Sequence, residues 1–462
     1  MGKVAVELND AGIVVADETG VLAVEPGYAF LERGRIRTGL DAVAHARREP
    51  RRASNRFWSA LSVEPGSAGL DGPTSTAELA YTQLADLWKR FGEGASDALL
   101  VVPGSYRGEQ LGIVLGLAQE CGMPVRALVD AAAAASVRPY PGKQLLYVDA
   151  SLHRIVSTWV EQREEAFVRA EHEIPTTGLA NITEAFARRF AETFMLATRF
   201  NPFHRAETEQ QLYDRLPEWL AAFHEQGEIE CVLRDGDEEF RTVVGRDAAL
   251  GAVGGFYRSV VQLIAQNREP GTSLAVQLSQ RLGALPGFVA ELARLDDARI
   301  ERLEPGHAAR GALLAADELV AAGGDVKLVK HLRWRAPAAD IDAAAHAPAE
   351  PPRLAGAAAP THVVYRGMVY RVDARGLVVG REPADGRRTI VVEAATGGVS
   401  RAHCELVLRD GELRVVDLSR FGTFVNEKRI SGETILRRAD VIRVGSPGAE
   451  LTVVSMEPAH GA

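Results

Sequence analysis

Toward the C-terminus, three short segments bring together residue types that could grip a phosphate group. They are Gly380-Arg381, then Ser400-Arg401-Ala402-His403, then Asp417-Leu418-Ser419-Arg420-Phe421-Gly422-Thr423-Phe424-Val425-Asn426. A phosphorylated side chain carries close to two negative charges and three acceptor oxygens, so a binder needs a planar guanidinium and short hydroxyl or backbone donors. Arg381, Ser400 and Arg401 are of those types. The elements that must position them are strands: apolar runs of strand length span 376–380, 404–408 and 413–418. The donors therefore fall on loops between strands.

In order and spacing these segments resemble the forkhead-associated (FHA) domain, and the likeness covers about the last hundred residues, 361–457. The resemblance implies an all-β sandwich that binds a phosphothreonine-containing protein. It implies that Arg381 and Ser400 contact the phosphate, that Arg401 flanks it, and that His403 buttresses the loop from beneath. Gly422 and Thr423 would shape the last turn, with Gly380 and Asn426 as further structural positions, and Thr423 also counts among the residues lining the peptide site. One departure matters. The family usually has asparagine before the last Gly-Thr pair, where its amide holds the peptide backbone, and here the residue is Phe421, preceded by Arg420. The rim keeps a cation and loses an amide, so phosphothreonine affinity can survive while sequence selectivity changes. The competing reading is the same scaffold binding an unphosphorylated partner.

A chain of 462 residues is too long for one ordinary domain. Hydrophobic residues at 46% and charged residues at 25% give a globular balance with material for sizeable cores. The net charge of −9 is uneven. Residues 361–456 hold 15 Lys and Arg against 12 Asp and Glu, and the remainder holds 38 against 50. A mildly basic module on an acidic body suits an anionic peptide better than nucleic acid. Cys121, Cys231 and Cys404 are scattered without ligand spacing, so neither a zinc site nor a disulfide framework is expected. The N-terminal residues carry no signal-peptide pattern, and no uninterrupted apolar stretch reaches the roughly 18 residues of a membrane span. A reduced, cytoplasmic protein without membrane contact is expected.

Between Ala336 and Pro360 the sequence is nearly all Ala and Pro with a few charges, which reads as a linker. The body, residues 1–335, alternates strand-like and helix-like segments. Val4 to Leu8 and Ile13 to Ala16 read as strands joined by the turn-forming Asn9-Asp10-Ala11-Gly12. Ser75-Thr76-Ala77-Glu78 is a capping box, opening a helix with Ala77, Tyr81, Leu84 and Trp88 on one face. Ala98 to Val102, Val125 to Val129 and Leu145 to Asp149 read as further strands, with a helix from about Arg107 between the first two. Strand, helix, strand, helix indicates an α/β domain.

The run from Ala98 through Tyr106, the helix ending at Gly122-Met123-Pro124, and Leu128 through Ala134 resemble the first lobe of the actin-like ATPase superfamily. So does Leu145-Leu146-Tyr147-Val148-Asp149, and the heat-shock chaperone branch is the nearest. Gln280 through Phe288 and Glu304 through Ala312 are similar to that branch's nucleotide-edge segment and closing Ala-rich helix. The resemblance implies a two-lobed, ribonuclease H-like α/β body. It also implies two glycine-rich phosphate hairpins, because only residues without a Cβ let backbone amides approach phosphates closely. Here the first hairpin reads Glu7-Leu8-Asn9-Asp10-Ala11 in place of Asp-x-Gly-Thr. The second reads Asp149-Ala150-Ser151-Leu152-His153-Arg154 in place of Asp-x-Gly-Gly-Gly-Thr. At the adenosine edge, Leu278-Ser279 or Ser279-Gln280 replaces a Gly-Gly pair, and Asp130 stands where the family has glutamate.

A degenerate cleft is therefore expected at Glu7, Asp10, Asp130, Asp149 and Arg154, with no cofactor, no metal and no hydrolysis. Losing a single preorganised donor costs roughly a hundredfold to a thousandfold in rate, and several are gone at once. Arg154 is either a cation filling the vacated phosphate position against Glu7 and Asp149 or a solvated hairpin arginine. The expected function is a phosphothreonine-dependent adaptor in bacterial-type Ser/Thr kinase signalling with a pseudo-ATPase body. The alternatives are an active chaperone-like ATPase regulated through its tail, and self-association through a phosphothreonine on a sister copy.

Overall fold

The computed structural model describes residues 2–70, 72–175, 177–321 and 326–337. It also describes 362–454 apart from 366–367, 373, 383–386, 393–398, 410–411, 427, 431, 438–439 and 446–447. The chain divides into two compact units, Met1–His346 and Ala347–Ala462. The linker expected between Ala336 and Pro360 lies almost wholly outside the described residues.

The first unit is mixed α/β. Its N-terminal sheet contains β1 (Lys3–Glu7), β2 (Ile13–Asp17), β3 (Gly20–Glu25), β4 (Asp97–Val102) and β5 (Val125–Asp130). β1 and β2 are joined by a tight turn in which the Asn9 side-chain carbonyl accepts from the Ala11 N–H at 3.0 Å and the Asn9 backbone carbonyl accepts from Gly12 at 2.9 Å. Polar turn chemistry of this kind is what the Asn-Asp-Ala-Gly sequence offers. β1 pairs antiparallel with β2 and parallel with β4, and β4 pairs parallel with β5. Ala98 to Val102 are all buried, as a continuous apolar run in a sheet covered on both faces must be.

The second sheet repeats this strand order. It contains β6 (Lys143–Ala150), β7 (Arg154–Gln162), β8 (Glu165–Pro175), β9 (Ser273–Leu278) and β10 (Ala298–Arg302). β6, β7 and β8 form an antiparallel meander, and β9 and β10 extend it in parallel from β6. In both sheets, then, the first strand of a meander lies in the middle, and its C-terminal end is where a polar turn begins. Leu328–Val329 adds to β5 and His331–Arg333 adds to β8, so one short segment is stitched to both sheets.

Helices cover the faces. α1 (Thr76–Phe91) opens with the capping box: Ser75 Oγ accepts from the Glu78 N–H at 3.2 Å, and the Glu78 carboxylate accepts from the Ser75 N–H at 2.7 Å. Its buried stripe is Ala77, Ala80, Leu84 and Leu87. Tyr81, expected on that face, is exposed, and Trp88 is only partly covered.

α2 (Gly108–Glu120), α3 (Ala131–Ala135), α4 (Leu179–Thr198), α5 (Ala206–Ala222) and α6 (Arg246–Asn267) follow. α6 is apolar and long enough to cross a membrane by length and composition, and it buries Ala249, Val253, Tyr257, Val260 and Ile264 in the core beside the second sheet. The sequence reading counted uninterrupted apolar runs and passed over this helix, which is interrupted by Arg258. α7 (Gln280–Gly283) is one turn long, and α8 (His307–Leu314) crosses α3. At that crossing a Cβ on Gly311 would stand 1.8 Å from the Ala134 carbonyl oxygen, so only glycine permits the approach.

Among the described residues the second unit is an all-β sandwich of a six-stranded and a five-stranded sheet. The latter contains β11 (Leu377–Gly380), β12 (Cys404–Arg409) and β13 (Glu412–Asp417). The former contains β14 (Thr423–Val425) and β15 (Val441–Gly445). Val379, Leu406, Leu413, Val415, Ile442 and Val444 fill the space between them.

Candidate functional site

Three loops meet at one end of the sandwich, after β11, before β12 and between β13 and β14. The first two are fastened by backbone bonds, from Arg381 N–H to the Ser400 carbonyl at 3.2 Å and from Glu382 N–H to the Arg401 carbonyl at 3.4 Å. Gly380 allows this, since a Cβ there would meet the Arg401 carbonyl oxygen at 1.9 Å. The third loop joins through Ser400, whose Oγ accepts from the Arg420 N–H at 3.2 Å. Because that oxygen is engaged as an acceptor, the hydroxyl proton remains available to donate outward. Arg381 and Arg401 have exposed side chains beside it, and Arg420 is exposed across from them. Arg381, Ser400, Arg401 and Arg420 are thus assembled around one surface position, offering cations and a hydroxyl donor to an anion.

His403 is fully buried under this position. Its Nδ1 accepts from the Ser400 N–H at 3.1 Å, so Nε2 carries the proton and donates to the Gly422 carbonyl at 3.0 Å. Burial lowers its pKa from the usual histidine value, even though the Gly422 carbonyl favours the protonated form, and the neutral ring is the one that satisfies both bonds.

Thr423 is fully buried, with its hydroxyl donating to Asp417 Oδ1 at 2.8 Å. Of the two roles expected of Thr423, this bond serves the shaping of the turn. Asp417 also accepts from the Ser419 N–H at 3.0 Å, and the Ser419 hydroxyl accepts from Gly422 N–H at 2.7 Å. Burial pushes the Asp417 carboxyl upward, but the bonds from Ser419 and Thr423 outweigh it and hold its pKa below the ordinary value. Gly422 has φ of +94°, a conformation that favours glycine. Asn426 lies away from the rim, where its side chain bonds Asp440 and the Val441 N–H.

Phe421 is exposed, and so is Leu418, leaving two apolar side chains on the same loop as Arg420. Sequence reasoning overlooked Asp417 and Ser419 as the struts of this loop, although the Asp-x-Ser spacing is a readable turn signal. It also overlooked Glu382, which lies between Arg381 and Arg401.

The body holds a second cluster. Glu7 ends β1 and Asp149 lies near the end of β6, and the buried guanidinium of Arg281 in α7 joins them. It bonds Glu7 Oε1 at 2.7 Å, the Gly12 carbonyl at 2.8 Å and Asp149 Oδ2 at 3.3 Å. Burial works against this charge, yet Glu7 and Asp149 more than offset it and hold the arginine proton more tightly than usual. The cation between these carboxylates is therefore Arg281. Of the two roles open to Arg154, this leaves that of a hairpin arginine, paired with Glu173 at 3.2 Å on the neighbouring strand.

Asp10 is buried and accepts from the Leu152 N–H at 2.7 Å. Burial pushes its pKa up to about 6, against the lowering effects of that bond and of Arg154 and Arg281. Asp130 caps α3 by accepting from Ala132 and Ala133, and burial, then Glu171, push it up to about 6 as well. Leu152 and His153 are buried at the second turn, where the His153 ring reaches the Asn55 carbonyl at 3.0 Å. A small cavity of about 40 Å³ adjoins this region, lined by Leu8, Asp10, Tyr106, Tyr147 and Arg154 among others.

Residues 377–445 match the family model described as the FHA domain. A search of curated proteins found no match to the chain. The matched segment begins at β11 and ends at β15, and so spans all three loops of the cluster. The C-terminal sandwich of this chain is an FHA domain, a module that binds phosphothreonine-containing proteins in signalling adaptors.

Proposed function

We propose that this protein is a phosphothreonine-dependent adaptor in Ser/Thr kinase signalling, with an actin-like pseudo-ATPase body serving as its scaffold. The observation that carries the first half is the convergence of Arg381, Ser400 and Arg420 on one exposed position held from below by neutral His403. Exposed guanidiniums with a free hydroxyl donor match the charge and acceptor count of a phosphate monoester. The Ala- and Pro-rich residues 336–360 would act as a spacer that lets the reader reach a partner and raises local concentration there.

For the body, the shared strand order of the two sheets supports a two-lobed actin-like reading. The residues present do not fit a magnesium nucleotide. Glu7 and Asp149, at the ends of β1 and β6, already share the single guanidinium of Arg281, and Asp10 in the first turn adds a buried acid. The second turn carries Leu152 and His153 where the family has glycines. This reading accordingly has no hydrolysis and derives no step through nucleotide.

The test is capture of partners from phosphorylated extract by the full chain against Arg381→Ala. Partners bound by the wild type, lost with the variant and lost after phosphatase treatment support the reading. Undiminished capture by Arg381→Ala, or capture indifferent to phosphatase, overturns it.

A further inference from the structure

The phosphate position contains an acid of its own. Glu382 follows Arg381 directly, and its carboxylate spans the two neighbouring guanidiniums: one oxygen is 3.5 Å from Arg381 Nε and the other 3.6 Å from Arg401 Nε. The backbone keeps it there, since residues 381 and 382 are bonded to the carbonyls of 400 and 401. All three side chains are half-exposed or more, so neither contact contributes much to stability. Their significance is competitive. An incoming anion that needs both arginines must displace this carboxylate or bind beside it.

We propose that Glu382 is a tethered competitor for the phosphate position, making the site selective for dianionic phosphate monoesters over carboxylates; this rests on the phosphothreonine reading above. A ligand aspartate or glutamate offers one charge and two oxygens, the same as Glu382, which is already present at high effective concentration. A phosphate monoester offers nearly two charges and three oxygens and displaces it. The displaced carboxylate stays close and repels the bound dianion, which keeps binding reversible.

The experiment measures binding of the full chain to three fluorescent peptide libraries, with a fixed central phosphothreonine, aspartate or threonine. Wild type, Glu382→Gln and Glu382→Asp are compared, with thermal unfolding of each confirming the fold. Removing one exposed like charge beside the ligand is expected to tighten phosphothreonine binding by about three- to tenfold in Glu382→Gln. Aspartate binding should improve by a larger factor, so the preference for phosphate narrows, while Glu382→Asp, which keeps the charge, stays near wild type. Unchanged or weaker phosphothreonine binding by a folded Glu382→Gln, with wild type still preferring phosphothreonine to threonine, removes the competitor and leaves the phosphothreonine reading intact. If no variant distinguishes phosphothreonine from threonine, the underlying reading itself falls, and the competitor with it.

Discussion

Arg381 and Arg281 each stand beside carboxylates, and exposure separates their roles. Arg381 has half its side chain in water and can be given to a ligand, whereas Arg281 is nearly enclosed and committed to Glu7 and Asp149. Asp10 illustrates the cost of enclosing an acid where burial outweighs the nearby cations. Its pKa is raised in the folded state to about 6 from an ordinary 3.8, so the folded protein binds more protons than the unfolded chain between those values. Stability linked to this group is complete below about pH 4 and is lost as pH rises through 6. Asp10→Asn keeps an acceptor for the Leu152 N–H and removes the charge. In urea titrations it should stabilise the body by about 3 kcal/mol at pH 7 and by less than about 1 kcal/mol near pH 4. Equal stabilisation at both pH values would show that the charge is not the cause.

At the scale of elements, the fold depends on where helices can touch. α8 lies against α3 because Gly311 lacks a Cβ at a backbone carbonyl, which cannot swing aside as a side chain would. Gly311→Ala should therefore destabilise the body by about 1 to 3 kcal/mol through helix displacement. Gly112 in α2 is the contrast, with open space where its Cβ would go. Gly112→Ala should stabilise by up to about 1 kcal/mol, because mid-helix glycine loses more backbone freedom on folding. Denaturation midpoints of the two variants should move in opposite directions. The sequence indicates that both glycines lie in helices, but only the packing separates them.

For the body as a whole, the Arg281 bridge joins the end of β1 and the turn after it to the end of β6, tying the two sheets together. Removing one partner from a buried ionic cluster leaves the others uncompensated, so Arg281→Ala should cost about 3 to 5 kcal/mol of unfolding free energy. The wild type should show no change in melting temperature with millimolar magnesium and adenosine triphosphate. A rise of several degrees would show that the body still binds nucleotide, and the pseudo-ATPase reading would then be wrong about binding.

The sequence by itself determined the pieces. Apolar runs marked the strands, the Asn-Asp-Ala-Gly segment marked a turn, and Arg381, Ser400 and His403 were legible as one site through their order and spacing, which resemble the FHA pattern. These are local signals, set by backbone preference and side-chain type within a few residues. Tertiary structure alone decided which cation serves the body, since Arg281 lies 274 positions from Glu7 and no local pattern relates them. It also turned Tyr81 outward, buried Thr423 and set Glu382 between two arginines. Each of these is fixed by packing between segments distant in the chain, where space and charge are shared only once the sheets have closed on one another.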